Sequence, residues 1–251
     1  MFLHSPLLEA AGFRHAFFTR HGGVSEGPFA SLNFSSALGD SPDNVLENLS
    51  RAAVALGVER EHVYFLDQVH GTDVHRVDSS TPRDEVLRRT GDALVSSDPA
   101  VACGVRTADC VPVLLACPAT GLAGAAHAGW RGAVAGVVPE TVAALRRAGA
   151  VGPLLAAIGP HISVDAFEVS EEVAEQIQRA APDISLIDRT RGPRPHANLR
   201  ALVRAQLLEH GVERIDDVAG CTVGDRDSFF SYRRDGKIGG RHLSAIVPQR
   251  R

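Results

Sequence analysis

Three short segments of the 251-residue chain gather side chains that can bind a metal or move a proton: Asp67-Gln-Val-His-Gly71, Arg106-Thr-Ala-Asp-Cys110 and Ala126-His-Ala-Gly-Trp-Arg-Gly132. Two imidazoles and a thiolate suit zinc, and three protein ligands leave a fourth position for water or substrate, which distinguishes a catalytic site from a structural one. His70, Cys110 and His127 form that set. They lie 40 and 17 residues apart, outside any local motif such as HExxH or CxxC, so only the fold can bring them together. The same atoms allow a different chemistry, with Cys110 as a nucleophilic thiolate and His127 or His70 as its base in a metal-free cysteine hydrolase. A third reading makes the thiol a small buried hydrophobe and the histidines hydrogen-bonded structural groups. Cys103, Cys117 and Cys221 are read in that third way. Metal content separates the first two readings, because a thiolate bound to zinc is not free to attack carbon.

Several familiar chemistries are excluded by what is missing. The sequence has no GxxxxGK[ST] loop, no GxGxxG after a strand and no GxSxG elbow. It has no His-x-His pair of the kind a trinuclear copper centre uses, and Lys237 is its only lysine, which disfavours Schiff-base catalysis.

The elements that must position these residues follow from periodicity. Helical spacing marks Pro42 to Leu56, where Asp43 and Asn44 supply polar groups at the start and Gly57 ends the run, and then Pro139 to Ala148, Ser170 to Ala180 and Asn198 to His210. Strand-like runs are Val63 to Val69, Val101 to Val105, Val111 to Ala116, Leu122 to His127, Leu154 to Ile158, Val218 to Thr222 and Leu243 to Val247. Helices and strands mix without a regular βαβ rhythm, which predicts an α+β fold with mixed sheets. Each reactive segment falls where a strand meets a turn, the place where a rigid sheet can hold side chains at fixed distances. No repeat or linker divides the chain, so residues 1–251 read as one domain.

Composition bounds the partners. The chain is 44% hydrophobic and 22% charged with a formal charge of -4, ordinary for a folded protein and without the basic field that attracts nucleic acid or anionic membranes. No apolar run is long enough to cross a bilayer, the N-terminus lacks the pattern of a signal peptide, and four scattered cysteines are not a disulfide framework. A cytoplasmic protein with reduced thiols is expected.

Read together, the motifs resemble the YfiH-like family, also called the laccase-domain or polyphenol oxidase family. They are Phe18-Thr-Arg-His-Gly-Gly-Val-Ser25, Ser31-Leu-Asn33, Gly39-Asp40, Asp67-Gln-Val-His-Gly71, Gly91-Asp-Ala-Leu94, Thr107-Ala-Asp-Cys110, His127-Ala-Gly-Trp-Arg-Gly132, Ile158-Gly-Pro160, Phe167-Glu-Val169, Asn198-Leu199, Cys221-Thr222 and Phe230-Ser-Tyr-Arg-Arg-Asp-Gly236. The resemblance implies a four-layer α/β/β/α sandwich with zinc on His70, Cys110 and His127. It implies phosphorolysis of adenosine, inosine and 5′-methylthioadenosine, with adenosine deaminase activity beside it and phenol oxidation under copper. Copper(II) displaces zinc from such ligands when supplied in excess, so that oxidation is read as incidental. A likeness of the fold to toxin cysteine deamidases keeps the thiolate reading open. Two positions depart from the family pattern: Leu49 follows Asn48 where arginine is expected, and Gly239-Gly240-Arg241 replaces Thr-Gly-Arg.

Roles follow from what phosphorolysis needs, namely a phosphate held beneath the sugar and electrophilic help for the departing base. Arg131 is the first candidate for the phosphate because a guanidinium offers a planar fork; Arg20, Arg233 and Arg234 are weaker ones. Asp109 beside Cys110, or Asp92, is the candidate proton carrier for deamination, with turn capping as the alternative. Gln68 and Asn33 are candidates for bonding purine or ribose, since amides donate and accept at once. Trp130 could stack on a base, whereas Phe230 is read as core. The expected partners are purine nucleosides and phosphate.

Overall fold

Alternation along one strand sets the stacking of the layers. Strand β7 (Val111–Ala116) is buried along its whole length, turning Val111, Val113 and Leu115 toward one apolar cluster and Leu114 and Ala116 toward another. A strand covered on both faces reads as a continuous apolar run, which is why this element was plain in the sequence. In the computed structural model, which describes residues 1–250, β7 lies inside a six-stranded sheet. The order of that sheet is β12 (Arg214–Asp217), β9 (Leu155–Ile158), β7, β8 (Ala123–Ala128), β5 (Ala93–Ser96) and β4 (Val74–Arg76). A five-stranded sheet runs β1 (Phe2–Leu3), β2 (His15–Phe18), β13 (His242–Ile246), β6 (Ala102–Thr107) and β3 (Val63–Tyr64). Both sheets mix parallel and antiparallel pairs. A small ribbon of β10 (Ile187–Asp188) and β11 (His196–Ala197) stands apart.

The sheets face each other across a core that joins Phe17, Tyr64, Cys103 and Ile246 of one to Leu94, Leu114, Ala125 and Leu155 of the other. Helix α2 (Pro42–Leu56) covers the outer face of the five-stranded sheet, placing Val45, Leu49, Ala52 and Leu56 against Phe18, Leu243 and Ala245. The outer face of the six-stranded sheet is covered by α5 (Val137–Arg147), α6 (Glu171–Arg179) and α7 (Leu199–Glu209). Helix, sheet, sheet and helix make the four layers of an α+β sandwich. Shorter helices are α1 (Pro6–Ala10), α3 (Arg83–Arg88), α4 (Trp130–Ala135) and α8 (Tyr232–Asp235). Among the described residues no helix is long and apolar enough to cross a membrane.

Local chemistry explains the helix ends. Pro42 opens α2, and Gly57 closes it at φ 65°, a left-handed conformation that a residue without Cβ adopts without strain. The Ser170 hydroxyl accepts the Val173 N–H to cap α6, and the Asn198 side chain accepts the Ala201 N–H to cap α7. Two expected strands differ. The run Val63 to Val69 stays in the sheet only through Tyr64, and its remainder leaves to form the loop that carries Asp67, Gln68 and His70. Val218 to Thr222 is not a strand; the strand is the preceding Arg-Ile-Asp-Asp of β12, whose polar side chains are tolerated because it lies at a sheet edge. Leu49, which stands where the family pattern has arginine, packs in the core under α2.

Buried histidines tie the layers to pH. His15 donates from Nδ1 to the Phe13 carbonyl and accepts the Ser5 N–H at Nε2 (2.7 Å), and His242 Nε2 accepts the Phe230 N–H (3.0 Å). Burial holds His15 and His161 below the usual imidazole range and pushes His242 down to about 3. A free histidine protonates near pH 6.5, so the unfolded chain takes up protons that the folded chain refuses. Stability from these rings is therefore complete above about pH 6.5 and is lost progressively as pH falls toward the folded values. The urea midpoint of chelator-treated protein should drop from pH 6.5 to pH 5, and His242→Gln, whose carbonyl can take the Phe230 N–H, should flatten the slope. An unchanged midpoint across that range would mean that these rings take up protons in the folded state.

Candidate metal centre

The centre is built outward from one carboxylate. Asp92, immediately before β5 and 1% exposed, accepts the backbone N–H groups of Val69 (3.2 Å), His70 (3.0 Å) and Gly71 (2.6 Å). It also accepts the Nδ1–H of His127 on β8 at 2.7 Å. Burial pushes the Asp92 carboxyl up, but these hydrogen bonds outweigh it and hold the group below the usual carboxylate range. Three successive N–H groups closing on one carboxylate force a tight turn, and His70 at its centre sits at φ 60°. A left-handed non-glycine residue costs about 1–2 kcal/mol, less than the ~1.5–3 kcal/mol available from each hydrogen bond to a charged acceptor. The turn is thus held, and it aims the His70 ring at His127, with the ring centroids 4.8 Å apart.

Cys110 is fixed from its other neighbour. It lies in the turn between β6 and β7, after Asp109 at φ 90°. The Asp109 carbonyl accepts the Ile162 N–H, and its carboxylate accepts the Thr222 hydroxyl (2.5 Å) and the Arg233 N–H (2.6 Å). Both carboxylate oxygens therefore tie the Cys110 turn to two distant segments, the Thr222 turn and the start of α8.

The donor atoms of His70, Cys110 and His127 lie within 4.8 Å of one another, and among the described residues they form the one such cluster of three or more. Fit to a metal can be tested on His127. Its Nδ1–H is committed to Asp92, which fixes the tautomer and turns Nε2 toward the other two donors, the arrangement that orients histidine ligands. Burial pulls the His127 imidazole down, but the Cys110 sulfur and Asp92 outweigh it and raise it to about 9. So much negative charge around one buried ring is an environment a cation can replace a proton in. Gly129 supplies the remaining condition. A Cβ there would stand 2.2 Å from His70 Nδ1 and 3.1 Å from Cys110 Sγ, so the ligands close only over a glycine. The residues present fit a bound divalent metal.

The cluster opens into a cleft of about 610 Å³. Trp130, Phe167 and Tyr232 give it apolar walls, and Arg106, Arg131, Arg233 and Arg241 line it with positive charge. The Arg131 guanidinium stacks on Trp130, 4.4 Å from the ring centroid, and has no hydrogen-bond partner among the described residues. Gln68 also lines the cleft, but its amide is spent on the Arg106 backbone, donating to the carbonyl at 2.8 Å and accepting the N–H at 2.7 Å. Asn33 and Arg20 are not among the lining residues. Asn33 is fully buried, bonding Ser35, Asp40 and the Arg241 N–H. Arg20 bonds the carbonyls of Ala30 and Arg226 and stacks on Phe230. Arg234 braces the carbonyls of Thr222 and Phe229, and Phe230 is core. No role was legible in the sequence for Arg106, Arg241, Phe167 or Tyr232, which lie in three different segments and meet only in the fold.

The family model described as multi-copper polyphenol oxidoreductase laccase matches residues 14–249. A protein of Mycobacterium tuberculosis named purine nucleoside phosphorylase Rv2149c is 40% identical over 222 residues, 88% of this chain and 86% of that protein. Purine nucleoside phosphorylase YfiH of Escherichia coli is 40% identical over 230 residues, 91% of this chain and 90% of that protein. The crystal structure of YlmD from Geobacillus stearothermophilus superposes with a TM-score of 0.88 at 33% identity, covering 96% of this chain and 93% of that one.

Two substitutions test the construction. Asp92→Asn should weaken metal binding by about 10–100-fold, the usual cost of removing a carboxylate behind a ligating histidine. Gly129→Ala has no backbone penalty at φ -67° and should act mainly through His70, with a lesser push on Cys110, lowering metal affinity while the fold survives. Chelator competition followed by elemental analysis, with circular dichroism as the control, reads both. Wild-type affinity in Gly129→Ala would show that His70 is not a ligand.

Proposed function

Because the chain belongs to the family described as multi-copper polyphenol oxidoreductase laccase, whose relatives include proteins named purine nucleoside phosphorylase, we propose that it is a zinc-dependent purine nucleoside phosphorylase. The observation that carries this reading is a metal-ligand cluster and a free guanidinium, Arg131, in one aromatic-walled cleft. Zinc held by His70, Cys110 and His127 would supply Lewis acidity where charge develops during glycosidic cleavage. Arg131 binds phosphate through its unspent donors, and its stacking on Trp130 fixes the plane of the fork. The aromatic walls accept a purine face and exclude water, which strengthens the guanidinium–phosphate attraction. Asp92 orients His127 and His70. Asp109, with both carboxylate oxygens engaged, positions Cys110 in this reading and does not carry protons. Adenosine, inosine and 5′-methylthioadenosine are the proposed substrates, with adenosine deamination as a side activity and copper-dependent phenol oxidation as a property of the copper-loaded protein.

A second reading is favoured by one specific observation. Without metal, the Cys110 sulfur lies beside the His127 ring whose Nδ1–H is held by Asp92, the order of a thiolate hydrolase, which is the metal-free cysteine hydrolase.

The test is turnover of adenosine by protein purified without added copper, with and without phosphate. Adenine, ribose 1-phosphate and inosine are resolved by chromatography beside elemental analysis for zinc. Phosphate-dependent adenine release with about one zinc per chain, lost in Cys110→Ser together with the metal, is the expected result. Zinc-bearing protein inert toward nucleosides would sink the phosphorylase reading, and metal-free protein that hydrolyses amides or esters through Cys110 would establish the second.

A further inference from the structure

Arg106 lies on β6 opposite Leu243 of β13, one diagonal step from Arg241, which directly precedes β13. Both guanidiniums line the cleft, and neither has a carboxylate within ion-pair distance among the described residues. Arg106 reaches only the carbonyls of Phe34 and Leu66, at 3.5 and 3.4 Å, and rests 4.3 Å from the Phe65 ring centroid. Arg241 bonds the Gly239 and Gly240 carbonyls at 3.1 and 3.0 Å. Two largely buried like charges facing one space, bonded only to neutral oxygens, and in Arg106 by long bonds, are costly unless a counter-charge arrives. Burial, which outweighs the exposed Asp67, pulls Arg106 down to about 10, so it remains a cation at neutral pH. The guanidinium planes are already set: Arg106 by Phe65, and Arg241 by the two carbonyls and by Tyr232, 5.7 Å from its ring centroid. Little ordering remains to be done when a ligand binds.

We propose that Arg106 and Arg241 form an oxyanion subsite for a dianionic phosphate group, in addition to the Arg131 fork. Two sources share this chemistry. One is inorganic phosphate, in which case the inference rests on the phosphorylase reading and this pair holds the attacking phosphate together with Arg131. The other is a phosphoryl group carried by the nucleoside itself, in which case the cleft accepts nucleotides. An arginine pair suits either because each guanidinium offers a fork to two phosphate oxygens.

Direct binding separates this inference from the catalytic one. Zinc-loaded protein is titrated by calorimetry with inorganic phosphate and, separately, with adenosine 5′-monophosphate and adenosine. Arg106→Met keeps the packing on Phe65 and removes the charge, with thermal stability and zinc content as controls; Arg131→Met is the comparison. An inorganic-phosphate subsite predicts at least tenfold weaker phosphate binding in Arg106→Met with adenosine unaffected. A substrate-borne phosphoryl group predicts the same loss for adenosine 5′-monophosphate with inorganic phosphate unaffected. Wild-type affinity for both anions in a folded Arg106→Met protein, or an inability of the wild type to bind either, would overturn the subsite. Binding lost as expected in protein that never releases adenine would leave the subsite standing and remove only the phosphorylase reading.

Discussion

The geometry of the centre depends on the four hydrogen bonds of the Asp92 carboxylate. Two ligands would be misplaced without it, because the same group closes the His70 turn through three N–H donors and fixes the ring of His127. The left-handed backbone at His70 persists because the carboxylate offers more than the conformation costs. Asp109 repeats the device on the other side, where a second left-handed residue is held by donors from Thr222 and Arg233. Strain at both positions adjoins the ligands and is balanced by buried charge-assisted bonds.

The sandwich determines why these turns can meet. His127 lies in β8 of the six-stranded sheet, His70 follows β3 of the five-stranded sheet, and Cys110 sits in the connection that passes from β6 of one to β7 of the other. The centre therefore marks the seam between the sheets. Their faces are locked by Phe17, Tyr64, Leu114 and Leu155, so donors spaced 40 and 17 residues apart acquire fixed separations from packing and not from local sequence. Small side chains along β8, Ala-Gly-Ala-Ala-His-Ala, let neighbouring strands approach; a Cβ at Gly124 would come within 2.9 Å of the Leu94 carbonyl.

What could be read from the sequence followed the strength of local signals. The boundaries of α2 and β7 were legible because proline, glycine and an unbroken apolar run are short-range signals. β12 was not, because an edge strand of Arg-Ile-Asp-Asp carries no apolar pattern and is defined by pairing with β9. The ligand cluster was legible from residue types at turns, sharpened by resemblance to a family. Roles for the amides were not: Asn33 and Gln68 have the chemistry to bind a nucleoside, yet both spend their donors and acceptors inside the fold, Gln68 on backbone and Asn33 on backbone and the Asp40 carboxylate, a fact visible only once Arg106 and Arg241 are in place. Asp92 was visible as a reactive residue, but its hold on His70 depends on a contact 22 residues distant.

Net charge conceals the electrostatics of the cleft. The chain carries -4 overall, which argues against polyanion binding, while the cleft gathers Arg106, Arg131, Arg233 and Arg241 against Asp67 and Asp109. Asp109 is already engaged by a hydroxyl and an N–H, and Asp67 is exposed, so neither neutralises a guanidinium within the walls. A concave surface of low dielectric focuses such a field, and acidic residues elsewhere on the molecule are screened over about 8–10 Å of salt solution. The protein can therefore carry net negative charge and still concentrate a small dianion at one opening. A divalent metal on the three ligands would add to the same field. The cleft is suited to a compact anion beside the three candidate donors, and the aromatic walls leave space for a flat, neutral ring next to it.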